Sequence, residues 1–302
     1  MTPLSFMNAY EGIAHAARIS AVEAVHYTDA ISEIRHQCNL FRAAFQPACI
    51  EGAIASVACG RRSLAFCSSV KPGIERRAPF VAVSGAIPSE GLVFVPESVQ
   101  EAVDMTILAY RICEDRNVML PATISIDMPG LSESVALPSD KSIASFLPRI
   151  RLPYKLGDLV ECKPEQVQLA MANALKLLGK ISEEWKKKFR RSCSAAEEFM
   201  LADAEYAFVV SGMQSGTAKA AVSAMRQQGE KAGLLRLCVL PHERAAMKAL
   251  AGKKIAVVGS GTLLYDHMQP AHSFVAQRLL SEKDFAGMLA VMKREQPRTW
   301  WL

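Results

Sequence analysis

Short apolar runs rich in β-branched and aromatic residues alternate with helical stretches along almost the whole chain, and this alternation constrains the fold more than any other feature. Residues 8–19 have the periodicity of an amphipathic, alanine-rich helix and are followed by the extended AVEAVHY at 21–27. A second alanine-rich stretch, Pro47 to Cys59, ends at Gly60, a natural helix stop. SLAFC (63–67), PFVAVSGA (79–86) and GLVFV (91–95) then read as strands. A helix is predicted over 97–114, where Ser98 and Glu101 have the spacing of a capping box, and LPATISID (120–127) is the last strand of this half. Strands separated by helices predict a parallel sheet covered on both faces.

From about 128 to 160 the pattern breaks into turns and prolines, and a long helix is predicted over 163–192. A second alternating set follows: AEYAFVVSG (204–212), a helix at 215–229, GLLRLCVL (233–240), a helix at 242–251 and KKIAVVGSG (253–261). Ser281 and Asp284 cap a final helix running to about Glu295. The expected fold class is α/β: two doubly wound domains with mainly parallel sheets, joined by a Pro-rich linker and a long helix. The expected boundaries are 1–150, 151–202 for linker and helix, and 203–302.

With 302 residues the chain can bury two cores, and half of its residues are apolar. The formal charge of +5 is spread along the chain, so charge alone does not imply nucleic acid. One basic run, Lys186-Lys187-Lys188-Phe189-Arg190-Arg191, reads either as a solvated helix face or as a docking patch for an acidic partner or anionic ligand. No apolar stretch approaches the roughly 20 residues of a membrane span, and the first twenty residues lack a secretory pattern, so a cytoplasmic protein is expected. The eight cysteines, Cys38, Cys49, Cys59, Cys67, Cys113, Cys162, Cys193 and Cys238, occur singly, with no CxxC pair to hold an iron–sulfur cluster. They read as small buried hydrophobes.

Local motifs alone do not assign a site. Gly259-Ser260-Gly261 follows a strand, but Leu264 stands where a dinucleotide fingerprint needs its third glycine. The turn Ser211-Gly212-Met213-Gln214-Ser215-Gly216-Thr217 puts small residues at a helix start, suited either to packing or to an anion. Asp266, His267 and His272 do not share a helix face, and no metal is expected. There is no GxSxG elbow, no HExxH and no P-loop lysine.

Longer stretches carry a resemblance. QEAVDMTILAYRICEDRNVMLPATISIDMPGLS (100–132), FLPRIRLPYKL (146–156) and DAEYAFVVSGMQSGTAKAAVSAMRQQGEKAGLLRLCVL (203–240) are similar, in that order, to segments of the pyruvate:ferredoxin oxidoreductase α-subunit family. The likeness runs from about residue 8 to 258 and includes the Gly216-Thr217 turn. It implies a pyrimidine-type domain followed by a domain resembling the transketolase C-terminal domain. It also implies thiamine diphosphate with Mg2+ at the interface with a thiamine-binding β-type subunit. Iron–sulfur clusters would sit on partner chains only, among ferredoxin-like and γ-type subunits. The implied reaction is oxidative decarboxylation of a 2-oxoacid to an acyl-coenzyme A with ferredoxin as acceptor, or the reverse carboxylation. No nucleic acid and no membrane are implied.

The same resemblance locates positions where this chain departs from the family. The family's glutamate, which exchanges a proton with the cofactor's aminopyrimidine, falls on Gln46; an amide can donate and accept hydrogen bonds but cannot exchange that proton. Glu51, five helix positions on and about 140° around the axis, is expected to point elsewhere. The family's substrate-facing "YP.TP" turn reads Tyr27-Thr28-Asp29-Ala30-Ile31-Ser32 here, leaving Thr28 or Ser32 as loose substitutes. Its carboxylate-pairing arginine corresponds to Ser84-Gly85-Ala86, and about two dozen residues of a substrate-side loop are missing before GLVFV. Cys67, Ser68 and Ser69 match the family's "TSS" and are expected to line the cofactor cavity. Three readings follow: an active subunit with a remodelled pocket, a non-catalytic structural paralogue inside such a complex, and a free-standing binding protein that reuses the fold.

Overall fold

A computed structural model describes residues 4–27, 44–46, 50–67, 77–88, 90–127, 132–147, 162–241, 243–259, 272–275, 280–294, 296 and 299–301. The chain divides into two compact units, Met1–Ser194 and Ala195–Leu302, and the long helix belongs to the first of them.

In the first unit β1 (Leu4–Asn8) pairs antiparallel with β8 (Ser132–Ala136). The main sheet takes β2 (Ala24–Tyr27), β3 (Ala44–Gln46), β4 (Ser63–Phe66), β5 (Val81–Ser84), β6 (Leu92–Phe94) and β7 (Ala122–Ser125) in the order β6-β7-β5-β4-β2-β3, all parallel. The strands are nearly continuous apolar runs because both faces are covered. Helix α1 (Ala9–Ile19) and α3 (Val99–Cys113) lie together, with Gly12 of α1 so close to Val103 that a Cβ there would sit 2.9 Å from its methyl. Helix α2 (Ile50–Ala58) packs its Ala53, Ile54 and Val57 on Ala65 and Ala82 of the strands. The unit is completed by α4 (Asp140–Phe146) and the 26-residue α5 (Pro164–Phe189).

The helix starts follow their capping residues. The Asn8 side chain accepts from the Glu11 amide and Glu11 accepts from the Asn8 amide, both at 2.9 Å, a complete capping box. At α3 only half of the expected box forms: Ser98 Oγ accepts from the Glu101 amide at 3.1 Å, but Glu101 reaches back to the Glu97 amide instead. Helix α3 is buried on nearly all sides, and two ion pairs are among its polar anchors. Arg62, at the start of β4, forms a two-pronged pair with Glu114 at 2.5 and 2.6 Å and also donates to the Ser20 carbonyl. Asp104 accepts both prongs of Arg191 at 2.6 and 2.8 Å. Arg191 of the basic run is therefore structural, and it stands over the Trp185 ring at 5.7 Å. Trp185, Phe146 and Phe189 form a ring cluster beneath it, and Lys188 donates to Ser145.

The second unit carries β9 (Ala196–Phe199), β10 (Tyr206–Val210), β11 (Ala232–Leu237), the two-residue β12 (Val239–Leu240), β13 (Lys254–Gly259), β14 (His272–Val275) and β15 (Thr299–Trp301). Its sheet order is β15-β14-β13-β10-β11-β9, with β9 antiparallel and the other pairs parallel. Helices α6 (Gln214–Gln227) and α8 (Glu282–Arg294) share one core with Phe208, Val210, Leu234 and Phe274. Helix α7 (Glu243–Ala249) contributes Ala246 to a second core with Val209, Leu235 and Val257. Apolar residues thus alternate between two covered faces, the doubly wound arrangement read from the sequence.

Three differences from the sequence reading have local causes. Strands β1 and β9 have a mixed polarity that gives no strand signal, and β14 and β15, of four and three residues, are too short to give one. The Pro-rich stretch after 128 contains β8 and α4, the latter started by Ser139, which accepts from the Ser142 amide at 3.2 Å. Gln46 lies in strand β3 while Glu51 lies in α2, so the helical angle reckoned between them does not apply.

Candidate functional site

In an open parallel sheet, ligands bind beyond the carboxyl ends of the strands where the strand order reverses. In the first unit that point lies between β2 and β4: the chain places β3 on one side of β2 and then returns to the other side with β4. The register brings four of the sequence-marked positions to this edge. His26 is level with Gln46 across β2 and β3, Tyr27 is level with Phe66, and Phe66 with Val83. Cys67 continues β4, its amide donating to the Val83 carbonyl at 3.0 Å, and Ser84 closes β5 opposite Ser125 of β7.

Thr28, Ser32, Ser68 and Ser69 lie outside the described residues. Of Gln46, the backbone at the end of β3 is described. Cys67 is buried, as read from the sequence, and its sulfur is engaged in a disulfide, which the sequence reading did not include. Cys113, Cys193 and Cys238 are buried, as expected, and stand outside any disulfide, whereas Cys59 is exposed. Ser84 is 3% exposed, and its hydroxyl accepts from the Ala86 amide at 3.2 Å, so it shapes the turn after β5. Glu51 stands exposed in the first turn of α2.

One group at this edge was not singled out in the sequence. His26 is fully buried, with Nε2 2.9 Å from Ser56 Oγ of α2. A histidine inside an apolar strand is visible in the sequence, but its partner, 30 residues on, becomes evident only when α2 folds over β2.

The donor set can be tested against thiamine chemistry. A pyrimidine-type domain must present a carboxylate able to share a proton with the ring. The residue closing β3 is an amide, and positions 67, 84–86, 126 and 127 at the ends of β4, β5 and β7 supply one acid, Asp127, and no cation. These residues offer hydrogen-bonding groups but do not fit a proton-exchanging glutamate or a guanidinium clamp for a substrate carboxylate. Among the described residues no group of three or more His, Cys, Asp or Glu side chains is placed to hold a metal ion. His272 is buried in β14, stacked on Phe274 at 6.1 Å, while Asp266 and His267 lie outside the described residues.

In the second unit the strand order reverses between β10 and β13, and the Ser211–Thr217 turn follows β10 at that point. Gly212 takes φ +72, a conformation that a side chain would strain. Ser215 is fully buried, and its hydroxyl donates to the Gly212 carbonyl at 2.6 Å. Gln214 accepts from the Leu280 amide at 3.2 Å, tying the turn to the start of α8. Ser211 and Thr217 are half-buried and Gly216 is exposed. Next to the turn, Arg236 of β11, 2% exposed, donates to Glu197 at 3.2 Å, and Lys219 of α6 donates to the same carboxylate at 2.9 Å. Burial pushes the Glu197 carboxyl up, but the two cations outweigh it and hold it below the ordinary glutamate value.

Comparison with known proteins adds identity to this geometry. The model of the pyruvate:ferredoxin oxidoreductase core domain II matches residues 204–264. The pyruvate synthase subunit PorA of Methanothermobacter thermautotrophicus is 30% identical over 183 residues, 54% of this chain and 47% of that subunit. The alpha subunit of the NADH-dependent phenylglyoxylate dehydrogenase of Aromatoleum evansii is 30% identical over 184 residues, covering 52% and 44% of the two chains. The chain thus spans about half the length of the curated relatives it matches. Among solved structures, a 2-oxoglutarate:ferredoxin oxidoreductase from Magnetococcus marinus superposes with a TM-score of 0.68 at 10% identity, over 96% of this chain and 65% of that one, a likeness of fold. Over about half of their length the chain is similar to alpha-type subunits of 2-oxoacid oxidoreductases, and its residues 204–264 match the pyruvate:ferredoxin oxidoreductase core domain II.

Proposed function

We propose that this chain works as the alpha-type subunit of a thiamine-diphosphate-dependent 2-oxoacid:ferredoxin oxidoreductase complex. The reaction is the oxidative decarboxylation of a 2-oxoacid, with the acyl group passed to coenzyme A, or the reverse carboxylation. The observation that carries the reading is the carboxyl edge of the first unit's sheet. Tyr27, Gln46, Cys67 and Ser84 close adjacent strands there, at the reversal point where such folds bind ligands. In this reading a β-type partner holds thiamine diphosphate and Mg2+, and partner chains, ferredoxin-like and γ-type, hold the iron–sulfur clusters. The assembly works in the cytoplasm.

The cofactor, when bound, supplies the carbanion chemistry; this chain's part is to orient and to hydrogen-bond. Gln46 brings an amide that both donates and accepts, and it leaves proton exchange with the ring to another group. A second reading is favoured by a specific observation: position 46 is an amide and the end of β5 carries Ser84-Gly85-Ala86 where the family has an arginine. Both losses fit a structural paralogue that keeps the complex together while another chain carries the chemistry.

One experiment separates the readings. In the assembled complex, Gln46→Glu and Gln46→Ala are compared for 2-oxoacid-dependent reduction of ferredoxin and for deuterium exchange at the cofactor's thiazolium carbon. An active subunit predicts faster exchange in Gln46→Glu and slower turnover in Gln46→Ala. Identical behaviour of both variants and the parent identifies the paralogue. A purified chain that never associates with an iron–sulfur partner overturns both readings.

A further inference from the structure

Helix α5 is the longest element among the described residues, and at 1.5 Å per residue it runs for roughly 39 Å. Ala170, Ala174, Leu178, Ile181 and Trp185 form its buried stripe. On the opposite side Leu169, Ala172, Lys176, Gly179 and Glu183 succeed one another at alternating spacings of three and four, and all five are exposed.

Three features of that outer stripe have no use inside the unit. Leu169 leaves 65% of its surface in water. Gly179 sits in the helix interior, where glycine is less favourable than alanine, yet a Cβ placed there would meet nothing within 4 Å. Lys176 and Glu183, two helical turns apart, carry opposite charges, and among the described residues neither makes an ion pair.

A second copy of the same helix uses all three. In an antiparallel pair whose two-fold axis passes close to Gly179, each Lys176 comes alongside the partner's Glu183, and symmetry makes the contact twice. The missing side chains at Gly179 let the backbones approach where they cross. Leu169 falls on the lysine-rich end of the other helix, where aliphatic stems cover it. A parallel pair sets Lys176 against Lys176 and Glu183 against Glu183, so the charge pattern also selects the direction. We propose that the outer face of α5 is a self-association surface on which two copies of this chain pair antiparallel. One helix face buries less than a standard interface of about 800 Å2 per partner, so the association is weak, in the micromolar range.

Sedimentation velocity of the full chain over a concentration series tests this. The parent is expected to pass from monomer to dimer. Lys176→Glu alone and Glu183→Lys alone each weaken the dimer about tenfold by opposing like charges at two symmetric contacts. The double variant, Lys176→Glu with Glu183→Lys, restores it. Gly179→Leu abolishes the dimer while far-ultraviolet circular dichroism keeps its helical signal. A parent that stays monomeric up to about 100 μM, single reversals without effect, or a double variant that fails to restore the dimer overturns the proposal.

Discussion

The two units solve the same architectural problem and differ in what they keep at the reversal point of the sheet. In the second unit the turn after β10 is fastened from within, by Ser215 on Gly212 and by Gln214 on Leu280, and the family model matches this part of the chain. In the first unit the strands arrive at the same kind of edge, but the residues closing them are an amide, a disulfide-bonded cysteine and a serine turned to its own backbone. Strand order and helix packing are set by cores of many residues, whereas chemistry resides in the few residues at strand ends. A fold set in this way tolerates a change in those few residues, and with it a change of chemistry.

The units also differ in how they bury charge. Arg62 and Glu114 of the first unit have side chains 2% and 10% exposed, so either one alone would be an uncompensated charge in the interior. Replacing Arg62 with alanine is expected to cost about 3–5 kcal/mol, read as a fall in denaturation midpoint with unchanged slope. In the second unit Arg236 is equally buried, but its partner Glu197 is 38% exposed and keeps Lys219. Arg236→Met should therefore cost only about 1–2 kcal/mol, and equal costs at the two sites would remove this distinction. Within the second unit, a Cβ on Gly233 of β11 would meet the Met200 carbonyl at 2.7 Å and the Leu201 Cα at 2.9 Å. Because backbone cannot yield as a side-chain tip can, Gly233→Ala should cost about 1–3 kcal/mol and show as lost hydrogen-exchange protection in β9 and β11.

The parallel strands were legible because burial on both faces writes them as apolar runs: SLAF, VAVS and YAFVV are each almost wholly buried. Helix starts were legible where a side chain caps them, as at Ser98. Edge strands such as β9, AEEF, were not, because water on one side permits glutamates and erases the apolar signal. The basic run hid a buried contact: nothing in KKKFRR distinguishes Arg191, whose partner Asp104 lies 87 residues earlier, from its solvated neighbours. Gln46 was marked by resemblance, yet its place at a strand end rather than within a helix came from its pairing with His26 of β2. His26 shows the same limit, since a buried imidazole is identified by its surroundings and not by its neighbours in sequence.

The smallest expected effect is a difference in sign. In the first unit burial raises the carboxyls of Asp104 and Glu114 above their ordinary values of 3.8 and 4.5, and the arginines beside them reduce that rise without cancelling it. Such a group takes up its proton sooner in the folded chain than in the unfolded one. Its stabilising contribution is full below the ordinary value and is lost as pH rises through the raised one. Glu197 of the second unit behaves oppositely. Its folded value lies below the ordinary 4.5, so its contribution is full above 4.5 and is lost as pH falls through the lowered value. Acidification from neutrality toward about pH 4 should therefore weaken protection of β9 and β11 relative to α3, in hydrogen exchange corrected for intrinsic rates. Glu197→Gln should flatten the response of the second unit and leave that of α3 unchanged. Loss of protection in step across both units, with the glutamine variant indistinguishable from the parent, would show that these carboxyls do not set the difference.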